Sequence, residues 1–139
     1  MLTRTFVDAG VLIAAACGVR DVAVRAVRLL DEPGRAFVTS DFVRLEVMPK
    51  PSYHGFRDQL DFYEEFFANA RRVGVSKRLV DIALREACQY GLSACDALHI
   101  AAARLGKCVD FVTTEKPSRP LFRVTGLSVI SLQASNAST

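Results

Sequence analysis

Four carboxylates in this chain stand where acid side chains are poorly explained as surface charge. Asp8 closes the apolar run Thr5, Phe6 and Val7, and Asp96 lies near the start of an alanine-rich segment opened by Ser93. Glu115 falls just past a short apolar stretch, and Glu46 sits among Phe42, Leu45 and Val47. Burying a lone carboxylate is expensive unless it is paired, hydrogen-bonded or bound to metal. Clustering several is worse, because like charges raise each other's pKa. A divalent cation removes the conflict, and oxygen-only donors suit Mg²⁺ or Mn²⁺. The chemistry such clusters serve is phosphodiester cleavage. One ion activates water, and in two-metal sites a second, roughly 3.5–4 Å away, stabilises the leaving oxygen. Each acid also has an ordinary explanation. Asp8 can cap a following helix, and Asp96 can favour a helix N-terminus. Glu46 can pair with an arginine such as Arg44, and Glu115 can be a loop acid beside Lys116. Taken singly, those explanations suffice for Glu46 and Glu115; the four together favour a shared site.

Positioning such a site requires strands that end in its direction. Residues 5–7, 36–39, 72–75, 108–113 and 127–132 read as short strands. Helical spacing of apolar residues runs through 11–16, 20–30, 41–48, 55–70, 77–90 and 93–105. Ser40 or Asp41, Ser76 and Ser93 are the caps, and Pro33-Gly34, Pro49, Pro51, Gly91 and Gly106 the stops. Strands alternating with helices indicate an α/β fold with a mainly parallel sheet. Ligands bind such sheets at the carboxyl ends of the strands, so Asp8 and Glu115 are expected at one edge. The aromatic stripe Phe56, Leu60, Tyr63 and Phe67 reads as core or dimer surface, with Asp58, Asp61, Glu64 and Glu65 on the wet face.

At 139 residues the chain reads as one domain, 1–133, followed by a polar tail, 134–139, expected to fray. The apolar run from Ala9 to Gly18 is too short to span a membrane and carries no secretory pattern, so the expected location is the cytoplasm. A net charge of +3 permits an anionic partner without demanding one. The basic residues group as Arg71, Arg72, Lys77 and Arg78, and as Lys116, Arg119 and Arg123. Cys17, Cys88, Cys95 and Cys108 form no CxxC pair, so a zinc ribbon is not expected and free, buried thiols are.

The segments FVDAGVLIAA, VTSDFVRLEV, SACDALHIAAARLG and DFVTTEK resemble those of the PIN-domain family, in particular the small VapC-like toxin ribonucleases. The resemblance covers essentially the whole chain, and the segment around Asp96 is its most specific part. It implies a three-layer α/β/α fold with four to five short strands. It implies that Asp8, Glu46, Asp96 and Glu115 hold Mg²⁺ or Mn²⁺ and hydrolyse RNA through a metal-activated water. It also implies a homodimer and, for a type II toxin, a cognate antitoxin. Thr113 matches the family's hydroxyl residue two before the fourth acid; hydrogen bonding to a carboxylate and capping of the strand end weigh equally for it. Three positions depart from the pattern. Ala9 and Gly10 stand where a hydroxyl or amide commonly follows the first acid, removing any hydrogen bond from there. Glu115 replaces Asp, and Pro117 stands where a further acid is common. These departures frame the alternative function, a catalytically weak or inactive PIN-like module that binds RNA or protein. His99, one turn after Asp96, reads as a packed, hydrogen-bonded residue outside the site. Cys95 and His99 are spaced so that a thiol–imidazole pair is geometrically possible, with no cysteine-hydrolase signature around it.

Overall fold

In a computed structural model, which describes residues 1–18 and 20–133, five short strands form one sheet. The strands are β1 (Thr3–Val7), β2 (Arg35–Ser40), β3 (Arg71–Val73), β4 (Asp110–Thr113) and β5 (Ser128–Ser131), in the order β3-β2-β1-β4-β5. Every pairing is parallel, with Phe6 opposite Val38 on one side and Phe111 on the other. Phe6, Val7, Val38, Phe111 and Val112 are all buried, as expected of central parallel strands covered on both faces. The expected tail, 134–139, lies outside the described residues.

The helices are α1 (Ala9–Cys17), α2 (Asp21–Leu30), α3 (Asp41–Val47), α4 (Pro49–His54), α5 (Arg57–Asn69), α6 (Lys77–Tyr90) and α7 (Ala94–Leu105), with a 3₁₀ turn at Pro120–Arg123. The path β1-β2-β3 steps one way across the sheet, and β3-β4-β5 steps the other. Right-handed crossovers therefore place α1 to α5 on one face and α6, α7 and the 3₁₀ turn on the other. Packing agrees: α1 lies against α2, α3 and α5, while α6 lies against α7 and the 3₁₀ turn. The chain reverses direction between β1 and β4, which opens a crevice beyond their carboxyl ends.

Local signals account for most boundaries. The hydroxyls of Ser40, Ser76 and Ser93 accept the backbone N–H of Val43, Leu79 and Asp96. Gly91 ends α6 at φ 69°, a conformation that costs a glycine little. Pro49 ends α3 as expected, but it also opens α4 as that helix's first residue, where its missing N–H is no loss. The stripe on α5 turns inward: Tyr63 is buried, Phe62, Phe66 and Phe67 pack partly against the core, and Phe56 stays exposed. The expectation of buried thiols is corrected. Cys17, Cys88 and Cys95 are exposed and Cys108 is intermediate; other residues fill the core sides of the helices that carry the first three, Val11 and Leu12 in α1, Leu79 and Ala83 in α6, and Ala97 and Ile100 in α7.

At the amino end of the sheet, Arg35 ties three strands together. Its Nη1 donates to Thr5 Oγ1 at 2.7 Å and to Asp110 Oδ2 at 2.9 Å, while Nε donates to Glu32 at 3.0 Å. Asp110 is buried, and its Oδ1 has no partner. Arg35→Met should therefore lower stability by about 3 kcal/mol, because it strands a buried carboxylate. Arg35→Met with Asp110→Val should recover most of that loss in urea unfolding, and equal losses in both variants would contradict this account.

Candidate metal centre

Asp8 leaves β1 and caps α1, so a strand end and a helix start fix it together. Its N–H continues the sheet by donating to the Val112 carbonyl at 3.1 Å. Oδ1 accepts the Val11 N–H at 3.2 Å, and Oδ2 accepts the Thr113 hydroxyl at 2.5 Å. The same hydroxyl oxygen accepts the Glu115 N–H at 3.0 Å. Thr113 thus joins the first acid to the backbone of the fourth. The loop after β4 is pinned further: the Ser131 hydroxyl donates to the Glu115 carbonyl at 2.6 Å, and the Gln133 amide donates to the Thr114 carbonyl at 2.7 Å.

Asp96 occupies the first turn of α7 and is half-buried. Glu46 reaches the same place from α3, where His99 Nε2 meets its Oε1 at 2.6 Å. The imidazole is buried and tilted over Phe6, with ring centroids 5.9 Å apart, so it holds a partly exposed glutamate from a rigid base. The other imidazole nitrogen, Nδ1, has no partner. Placing the proton on Nε2 makes that contact a hydrogen bond and leaves Nδ1 as a bare acceptor.

All four carboxylates line one cleft of about 190 Å³, together with Cys95, His99 and Thr114. Their proximity is visible in their acidity. Burial pushes Asp8 up to about 6, against the hydrogen bonds from Thr113 and Val11, and the Glu115 charge adds to the rise. Asp96 is also raised, first by burial and then by Glu115. Among the described residues no arginine or lysine pairs with Asp8, Glu46 or Asp96; Arg119 approaches Glu115 at 3.6 Å with both side chains well exposed, a weak contact. Partly buried, unneutralised oxygen donors converging on one cleft fit a hard divalent cation. A second hollow, about 230 Å³, has two acids, Asp31 and Glu65, among apolar walls formed by Leu30, Phe37, Phe62 and Phe66, against four acids in the first.

The structure thus brings together Asp8, Glu46, Asp96 and Glu115, with Thr113 beneath them. It also adds His99, which sequence reasoning left outside. Its one-turn spacing from Asp96 was a local signal; its contact with Glu46, 53 residues away, was not. The expectation for position 10 changes as well. A Cβ on Gly10 would lie 2.2 Å from Thr114 Oγ1, so the room a side chain would use there is taken by a hydroxyl from the end of β4. Of the basic residues after Glu115, Arg123 turns away and donates to the Tyr90 carbonyl at 3.1 Å.

A family model described as PIN domain matches residues 5–116, a span that includes all four acids. No curated protein matches the chain. Solved structures share its fold. A toxin–antitoxin complex from Klebsiella pneumoniae contains a chain with TM-score 0.71 and 18% identity, covering 94% of this chain and 99% of that one. VapBC2 from Rickettsia felis, bound to a fragment of its promoter DNA, gives 0.69 and 15%, covering 93% and 98%. DNA-bound VapBC from Salmonella typhimurium gives 0.68 and 13%, covering 95% and 99%. No helix among the described residues is long and apolar enough to cross a membrane.

The raised acidity of Asp8 has a consequence for stability. Its folded-state pKa of about 6 exceeds the ordinary 3.8, so the folded state holds the proton more tightly. Stability is therefore lost as pH rises from 3.8 to about 6 and stays lost above that. Asp8→Asn should stabilise the cation-free protein at pH 7.5 by on the order of 2 kcal/mol, and the gain should vanish towards pH 4. Thermal unfolding at the two pH values measures it; a gain that does not depend on pH would refute the assignment to Asp8.

Proposed function

The chain belongs to the PIN-domain family, and from that premise we propose that it is an endoribonuclease that hydrolyses RNA phosphodiesters with Mg²⁺ or Mn²⁺. We propose further that it is the toxin of a type II toxin–antitoxin pair, acting in the cytoplasm as a homodimer with a cognate antitoxin. The observation that carries the catalytic reading is the convergence of Asp8, Glu46, Asp96 and Glu115, from four separate segments, on one cleft at the crevice of a parallel sheet. The fold shared with chains of toxin–antitoxin complexes supports the partner.

In this reading Asp8, Glu46, Asp96 and Glu115 hold the cation. Bound there, a divalent ion supplies Lewis acidity towards water and the phosphodiester oxygens. The chain's own residues do the positioning. Thr113 and the Val11 N–H fix both oxygens of Asp8. His99 orients Glu46. Ser131 and Gln133 hold the loop that carries Glu115, so the longer arm of a glutamate starts from a fixed backbone. Lys116 and Arg119 follow Glu115 closely and are exposed, so they can meet phosphates in a salt-sensitive way.

Asp8→Asn or Asp96→Asn should cut Mn²⁺-dependent cleavage of a labelled RNA pool by at least about 100-fold while circular dichroism stays unchanged; cleavage at the wild-type rate by both would sink the assignment. Wild-type protein that binds RNA but cleaves none of it with either cation would instead favour the inactive binding module. His99→Phe keeps the packing on Phe6 and removes the bond to Glu46. It should weaken the apparent Mn²⁺ affinity of cleavage by about 10–100-fold, seen as a higher cation concentration for half-maximal rate, and His99→Gln should restore part of it. An unchanged cation dependence in His99→Phe would remove His99 from the site.

A further inference from the structure

The cleft holds two side chains that a hard cation leaves unused as ligands, the thiol of Cys95 and the imidazole of His99. Cys95 and His99 lie one turn apart on the same face of α7, and Glu46 approaches them from α3. One donor atom from each of Glu46, Cys95 and His99 lies within 4.8 Å of the other two. Cys95 and Glu46 are exposed and His99 is buried, so two movable ligands face one fixed ring.

We propose that Glu46, Cys95 and His99 form a binding site for a borderline-soft divalent ion, Zn²⁺ foremost, distinct in chemistry from the oxygen-only set and sharing Glu46 with it. Thiolate, imidazole and carboxylate together are a zinc donor set, with a fourth position left open. Mg²⁺ has little affinity for the sulfur and nitrogen. Bond lengths of about 2.0–2.3 Å in a tetrahedron set ligand separations of roughly 3.5 Å. The Glu46–His99 contact of 2.6 Å must therefore open, and the wider separations must close. The exposed side chains of Cys95 and Glu46 can make these moves while His99 stays on Phe6.

The proton balance is defined. The Cys95 thiol releases its proton to solvent. The Nε2 proton now given to Glu46 leaves, and Nδ1 takes one up. Binding thus releases one proton per ion. Nδ1 is buried without an acceptor, so its N–H stays unsatisfied and the affinity falls below that of a closed four-ligand zinc site. The consequence for cleavage rests on the function proposed above: an ion held here withdraws Glu46 from the oxygen set, so Zn²⁺ should compete with Mn²⁺.

Cobalt(II) titration of the full chain under a non-thiol reductant tests the site without any activity assay. The expected result is a thiolate-to-cobalt charge-transfer band that saturates at one ion per chain and is displaced by Zn²⁺. Cys95→Ser should abolish the band. His99→Gln should weaken Co²⁺ binding at least tenfold, and both variants should keep the wild-type circular dichroism. Asp8→Asn should keep the band, since Asp8 belongs only to the oxygen set. No band in the wild type, or a band that persists in Cys95→Ser because another cysteine supplies it, would overturn the proposal. A clear band in a protein that cleaves no RNA would leave the zinc site standing and count only against the nuclease reading.

Discussion

Carboxylates repel one another, and burial makes each costlier to ionise, so a cleft with four of them exists only where the backbone leaves no choice. Here the constraint is the parallel pairing of β1 with β4. Val7 is registered against Val112, which brings Asp8 and Thr113 to the same height beyond the sheet. The Thr113 hydroxyl then binds the Asp8 carboxylate and the Glu115 N–H at once. The positions of the other two acids depend on the same edge. Asp96 enters at the start of α7, whose far end leads into β4, and Glu46 enters from the helix that follows β2, the other neighbour of β1.

That arrangement carries a cost that explains its chemistry. The rise of Asp8 to about 6 and the rise of Asp96 both come first from burial and then, in part, from Glu115. A fold selected for stability alone would replace these acids or give them arginine partners. The fold instead gives a buried carboxylate at the opposite end of the sheet, Asp110, an arginine partner, Arg35. The two ends of one sheet thus treat the same functional group differently: neutralised in place at the amino end, left open to an external cation at the carboxyl end. The thiol of Cys95 and the imidazole of His99 add softer donors at the margin of that second end.

Much of this was legible in the residues. Apolar β-branched runs marked β1, β2 and β4, serine hydroxyls marked the starts of α3, α6 and α7, and Gly91 marked the end of α6, because each of these signals acts within a turn or a few strand positions. The four acids were legible as misfits in apolar surroundings. Other features were not. Pro49 and Pro51 read only as stops, since the same missing N–H that ends one helix is tolerated at the start of the next. The cysteines read as buried, since composition near a residue does not say which side of a helix it occupies. Glycine at position 10 read as a lost hydrogen bond, whereas a threonine 104 positions later fills its space.

By itself, then, the sequence determined most of the elements, their alternation, and the order of the acids along the chain, because those depend on contacts among near neighbours. Only the tertiary structure decided that α3 crosses near α7, so that Glu46 meets His99 rather than Arg44. It also decided that Thr113 rather than a residue beside Asp8 orders the first carboxylate, and that Arg123 faces Tyr90 instead of the cleft. Those pairings join residues 53, 105 and 33 positions apart. They follow from strand order and the hand of the crossovers, which bring distant segments together at one edge and which no local pattern encodes.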